Sequence, residues 1–149
     1  SIRERVAPVS DVVPSMFETA EAIVAKHRTR ADASPFLMFH DPEYREYDVD
    51  VEVCIPVKAH DAKLDTHLLA GAPKAGCITY RGAYEQTPRL YASMLQWLEN
   101  SGLRIAGPLR EVYHRFGADQ LGYSLPSHVL ASSSAEYVTE LQTPVVEHI

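Results

Sequence analysis

The triplet Glu111-Val112-Tyr113 sets a carboxylate and a phenol two residues apart in a strand-like run. Alternation along a strand sends both to the same face. A carboxylate drawn out of water beside aromatic rings suits two kinds of chemistry. It attracts a cation, to which each aromatic face adds about 0.5–2 kcal/mol. Burial also raises its pKa, which suits general-base work on a water molecule. The ordinary alternative is a solvent-facing Glu111 paired with Arg110 or Arg115, an arrangement worth little energetically.

Other chemistries find no support in the residues. Seven histidines show neither an HExxH pattern nor paired Cys/His spacing, so no metal site and no cofactor is expected. GxGxxG and Walker patterns are missing, and Ser132-Ser133-Ser134 reads as linker rather than as a nucleophile elbow. A net charge of −6, without a dense basic run, argues against direct nucleic-acid contact. Any DNA contact is expected only through a part outside this chain. No apolar run approaches the roughly 20 residues of a membrane span, and Ser1–Arg5 carries no signal-peptide core. Cys54 and Cys77 sit in strand-like apolar contexts and are expected as buried, reduced thiols in a cytoplasmic protein. A length of 149 residues suits one domain.

The elements that must position Glu111 emerge from an internal repeat. Pro14–Val24 and Pro88–Leu98 align at a constant offset of 74. Met16, Phe17, Ala20, Ile23 and Val24 match Leu90, Tyr91, Met94, Trp97 and Leu98. Each set has the i, i+1, i+4, i+7, i+8 spacing of an amphipathic helix face. Pro14 and Pro88 suit a first helical turn, Thr87 an N-cap and Gly102 a C′ position. The same offset pairs the strand Phe36–His40 with Arg110–His114, and so Leu37 with Glu111 and Phe39 with Tyr113. A closing strand, Val51–Val57, resembles Thr139–Val145 at an offset of 88, so the second half carries 14 extra residues between His114 and Tyr137.

Each half then reads β-α-β-β, with first strands at Ser1–Val6 and Cys77–Arg81. The predicted fold is α+β: two duplicated β-α-β-β (SHS2-type) modules about a pseudo-twofold axis, one antiparallel sheet, two helices on one side. Half 1 covers about residues 1–57, a connector 58–76, and half 2 about 77–146. His67–Gly71 is a candidate extra strand in the connector.

In that fold Glu111 occupies a position that is leucine in the other half, facing the space between the halves. Burying an unpaired charge there is costly, a violation that functional sites tolerate. Tyr113 and the helix-face residues Trp97 and Tyr91 would form one wall; Phe39, Met16 and Phe17 would form the opposite one. Each of these also suits plain core. Tyr80, Tyr84 and Tyr123 are weaker candidates, Tyr123 lying in the extra loop. The mates Glu52 and Glu140, and His40 and His114, read as structural, with the two histidines able to meet near the axis.

The ordered set Phe39-His40-Asp41-Pro42, Asp50–Val57, Arg81-Gly82-Ala83-Tyr84, Leu95–Leu98, Gly102, Gly107-Pro108, Glu111-Val112-Tyr113 and Thr139–Val145 resembles the GyrI-like effector-binding domains. The resemblance runs from about Ile2 to Val146 and rests on order and spacing, since no single motif is diagnostic. It implies the same duplicated fold, and a domain that binds varied aromatic or cationic compounds in a cleft between the halves. It also implies a regulator of the MerR or AraC type, whose DNA-binding part, and the coiled coil that makes MerR-type homodimers, lie outside this chain. Some stand-alone relatives are similar to hydrolases of strained cyclopropane-bearing toxins, with the glutamate of the Glu-x-Tyr motif as base. A protein-binding role of the gyrase-inhibitor kind is the third expectation.

Overall fold

The computed structural model describes residues 1–7, 9–42, 45, 47–60, 63–117, 125 and 128–147, without the side chains of residues 9–11. Its elements are β1 (Ile2–Val6), α1 (Val9–Lys26), β2 (Phe36–Phe39), β3 (Val49–Cys54), β4 (Ala75–Arg81), α2 (Thr87–Asn100), β5 (Leu103–Ile105), β6 (Leu109–Arg115) and β7 (Val138–Glu147). They form a seven-stranded antiparallel sheet in the order β1-β3-β2-β6-β7-β4, with β5 pairing the end of β7.

The order is symmetric about its centre. β1-β3-β2 of the first half mirrors β4-β7-β6 of the second, and β2 meets β6 in the middle. The register of that central pair joins Leu37 to Glu111 and Phe39 to Leu109. Leu37 and Glu111 are also the residues that the offset of 74 makes equivalent. The pseudo-twofold axis therefore passes through this one cross-strand pair.

Both helices cover the same face of the sheet. α1 packs on β1 and β3, and α2 on β4 and β5. Strand alternation supplies the covered face with Val49, Val51 and Val53 from β3, Leu37 from β2, and Leu141 and Val145 from β7. Burying each large aliphatic side chain contributes about 1.5–3 kcal/mol.

Several sequence expectations are corrected. α1 begins about a turn before Pro14, which lies inside the helix, because Val13 extends the apolar stripe towards the N-terminus and is buried in the core. Thr87 is the first residue of α2 rather than its cap; a 3₁₀ turn at Tyr84–Gln86 runs directly into the helix, and the Thr87 hydroxyl bonds the Tyr80 hydroxyl. Gly102 does take the left-handed conformation of a C′ residue, with φ +70°. His67–Gly71 forms no strand. β5 is an addition that its three-residue length hid. Cys54 is buried and free, whereas Cys77 is free but exposed on edge strand β4. Tyr123, with residues 118–122, 124, 126 and 127 of the 115–136 insertion, lies outside the described residues. No helix among the described residues is long and apolar enough to cross a membrane.

Candidate functional site

Glu111 projects from central strand β6 onto the helix-covered face and is 9% exposed. Tyr113, next on the same face, donates its hydroxyl hydrogen to Glu111 Oε2 at 2.7 Å and is 8% exposed. No cation lies within ion-pair distance of Glu111 among the described residues. Arg110 faces the opposite side of the sheet, and Arg115 Nη1 pairs with Glu136 Oε2 at 3.6 Å. The solvent-facing alternative is thereby overturned. Burial raises the Glu111 pKa, and the Tyr113 hydrogen bond opposes that rise. The Tyr113 phenol is held well above its ordinary range, first by burial and then by the neighbouring Glu111 charge.

Tyr91 reaches the same cluster from α2. Its pKa is raised first by burial, then by the charge of Glu111 and a hydrogen bond towards it, with the hydroxyl just outside strict hydrogen-bond geometry. Thr139, paired with Tyr113 across β6 and β7, also buries its hydroxyl, which lies towards Tyr80 outside strict hydrogen-bond geometry. Buried polar groups are nearly always satisfied, so these two loosely held hydroxyls mark a polar cluster under the helices with bonding capacity to spare.

The rings around Glu111 obey the pseudo-symmetry. Phe17 of α1 meets Tyr113 of β6 edge-on, centroids 5.4 Å apart at 87°. Tyr91 of α2 meets Phe39 of β2 edge-on, at 6.3 Å and 85°. The offset of 74 converts one pair into the other. Each joins a helix of one half to a central strand of the other, so the two pairs bracket the Leu37–Glu111 pair across the seam. Tyr84, 41% exposed, stands at the rim, edge-on to Tyr113 at 5.7 Å and stacked on Tyr137 at 4.8 Å.

Six of the seven candidate residues lie on the helix-covered side: Glu111, Tyr113, Tyr91, Phe39 and Phe17 around the seam, and Met16 buried in the adjoining core. Trp97 departs from expectation. It is 55% exposed and lies over Gly76 of edge strand β4, with β7 between it and β6. Its repeat-mate Ile23 is also exposed, at 41%. At about 100° per residue, the i+7 position lies on the rim of the buried stripe in both helices. Tyr137 and Thr139 escaped the sequence reading; the cross-strand pairing of Thr139 with Tyr113 becomes visible only once β6 and β7 are in register.

The paired histidines do not meet at the axis. His40 Nε2 lies 2.8 Å from Glu52 Oε1, and His114 Nε2 lies 3.2 Å from Glu140 Oε1. These are mates bonded to mates, at opposite ends of the central strands and on the helix-free face. Among the described residues no group of three or more His, Cys, Asp or Glu is placed to hold a metal ion.

The chain matches the family described as the GyrI-like small molecule binding domain over residues 1–146. No curated protein sequence matches it. Among solved structures, a cryo-EM structure of an EcmrR–DNA complex in EcmrR-RPo is similar with TM-score 0.75 and 26% identity, covering 99% of this chain and 52% of that one. The crystal structure of the EcmrR C-terminal domain is similar with TM-score 0.75 and 22% identity, covering 97% of this chain and 88% of that one. This chain thus spans about half the length of the EcmrR chain in the DNA complex. EcmrR is a MerR-family regulator, and its matching part is an effector-binding domain. With the family matched across nearly the whole chain, the protein belongs to the GyrI-like small-molecule-binding family.

Proposed function

We propose that the protein is a ligand sensor that takes aromatic, cationic small molecules at the seam between its halves, with Glu111 as the anchor. The single observation that carries this reading is a buried carboxylate with no cationic partner among the described residues, bracketed by two symmetry-related ring pairs. Tyr113 and Tyr91 supply hydroxyls and ring faces; Phe17 and Phe39 supply the remaining walls, with Met16 behind Phe17. Trp97 takes no part, because it lies over the outer edge strand. A flat cation entering the seam must part the edge-on ring pairs, and Tyr84 at the rim moves first. The ligand then favours an opened arrangement by its differential affinity for it. In a longer protein with a DNA-binding part, as in EcmrR, that shift would reach the DNA, and dimerisation would come from outside this chain.

A second reading shares the residues. Glu111, with its raised pKa, would take a proton from water as that water opens a strained electrophilic ring, and Tyr113 would orient the carboxylate. Consumption of a cyclopropane-bearing alkylator by wild type but not by Glu111→Gln would favour it.

The test is a titration of cationic aromatic dyes, and neutral dyes of the same shape, followed by dye anisotropy. A carboxylate and a cation at about 4 Å attract by roughly 4 kcal/mol at an effective dielectric constant near 20. Partial desolvation of the cation leaves about 2–4 kcal/mol, so Glu111→Gln is expected to weaken cationic dyes roughly 30- to 1000-fold. Neutral dyes, and all dyes on Trp97→Phe, should change less than about threefold. Equal binding of cationic dyes by wild type and Glu111→Gln would remove Glu111 from the site.

A further inference from the structure

The sheet face opposite the helices carries a cavity of about 560 Å³, roofed by the connector at residues 67–74. Across its floor the register sets Glu52 of β3, Met38 of β2 and Arg110 of β6 in one row. The other lining cations are satisfied. Arg3 grips Asp50 through two bonds of 2.9 and 2.8 Å, and Lys74 Nζ lies 3.0 Å from Glu147 Oε1. Arg110 differs. No carboxylate lies within ion-pair distance of it among the described residues, its Nε is buried without a partner, and its one hydrogen bond, from Nη2 to the Ala70 carbonyl, is long at 3.5 Å.

A half-buried guanidinium left unpaired is costly, and its planar fork suits a carboxylate gripped through two parallel bonds. Around it the walls are apolar: Leu69, Pro73, Pro108 and Pro144, over Met38. Glu52, on the far side of Met38, is held by His40 at 2.8 Å and His67 at 3.7 Å. Its negative charge disfavours a second anionic group in the same cavity. We infer that this cavity is a second ligand site, for a small organic monoanion with its carboxylate on Arg110 and its apolar body against the prolines. The site lies on the opposite face from Glu111 and does not rest on the function proposed for that residue.

The experiment is calorimetric titration of the 149-residue domain with 2-naphthoate, with 2-naphthamide as the uncharged control. Saturable binding of naphthoate is expected, at least about tenfold tighter than the amide. Arg110→Gln should weaken naphthoate at least about tenfold, whereas Glu111→Gln should alter it less than about twofold. Gly71→Trp tests the site from the connector, because a Cβ at Gly71 meets nothing within 4 Å and the residue lines the cavity; the indole should block the cavity and suppress binding. The inference is overturned if naphthoate shows no saturation up to about 5 mM. It is equally overturned if Arg110→Gln and Gly71→Trp, folded by circular dichroism, both bind it as wild type does.

Discussion

Replacing Glu111 by Gln should make the protein more stable, by an amount that grows with pH. The amide has nearly the shape of the carboxylate and can still accept the Tyr113 hydrogen bond, 2.7 Å in the wild type. What it removes is a charge buried without a cation. The sign follows from the raised pKa of Glu111 in the folded protein, above its ordinary value of 4.5. Below that ordinary value the carboxyl is protonated in both folded and unfolded chains, and the substitution gains nothing electrostatically. As pH rises through it, the unfolded chain gives up its proton while the folded one keeps it, so wild-type stability falls. The loss levels off above the raised folded pKa. Relief of an uncompensated buried charge is worth about 1–3 kcal/mol. For a domain of this length each kcal/mol moves Tm by roughly 2–4 °C. Thermal melts by circular dichroism from pH 4 to pH 9 should therefore show Glu111→Gln up to about 10 °C above wild type at the alkaline end. The two curves should converge at the acid end. A gap independent of pH, or a less stable variant at alkaline pH, would refute a buried, uncompensated carboxylate. Saturation with a cationic ligand should close the gap, since only the wild type gains an ion pair.

Tyr91→Phe removes a buried hydroxyl that lies beside Glu111 but outside strict hydrogen-bond geometry. It should leave Tm unchanged or raise it by up to about 4 °C, and a fall of that size would show that the hydroxyl is satisfied. The cysteines should separate under a thiol reagent. Cys77 is exposed and should react in the native protein, slowed by its raised pKa; Cys54 is buried with its thiol pushed up to about 12, chiefly by burial, and should react only in denaturant. Titration of both thiols under native conditions would contradict the burial of β3.

Much of the site is written in one dimension. The offset of 74 that aligns α1 with α2 also aligns β2 with β6, and it makes Leu37 and Glu111 equivalent. Two equivalent antiparallel strands that pair at a twofold axis must place one pair of mates directly opposite each other, and the structure places that pair. Period-two alternation put Glu111 and Tyr113 on one face, and period 3.6 put Phe17 and Tyr91 on buried helix faces. Those inferences need only local geometry and the repeat.

What only the tertiary structure decided depends on neighbours distant in sequence. Periodicity gives the angle of a residue on its helix but not where the covering sheet ends. Ile23 and Trp97 therefore lie at the rim although they share the apolar spacing. The extra turn of α1 before Pro14 was hidden because a proline inside a helix is disfavoured locally and is held there by Val13 in the core. The mates His40 and His114 were recognisable, but which glutamate each would meet depended on strand pairing. Arg110 is the sharpest case. Its sequence neighbourhood offers Glu111 as a partner, and alternation sends the two to opposite faces. The sheet then places the carboxylate under the helices without a cation, and the guanidinium under the connector without an anion, among the described residues.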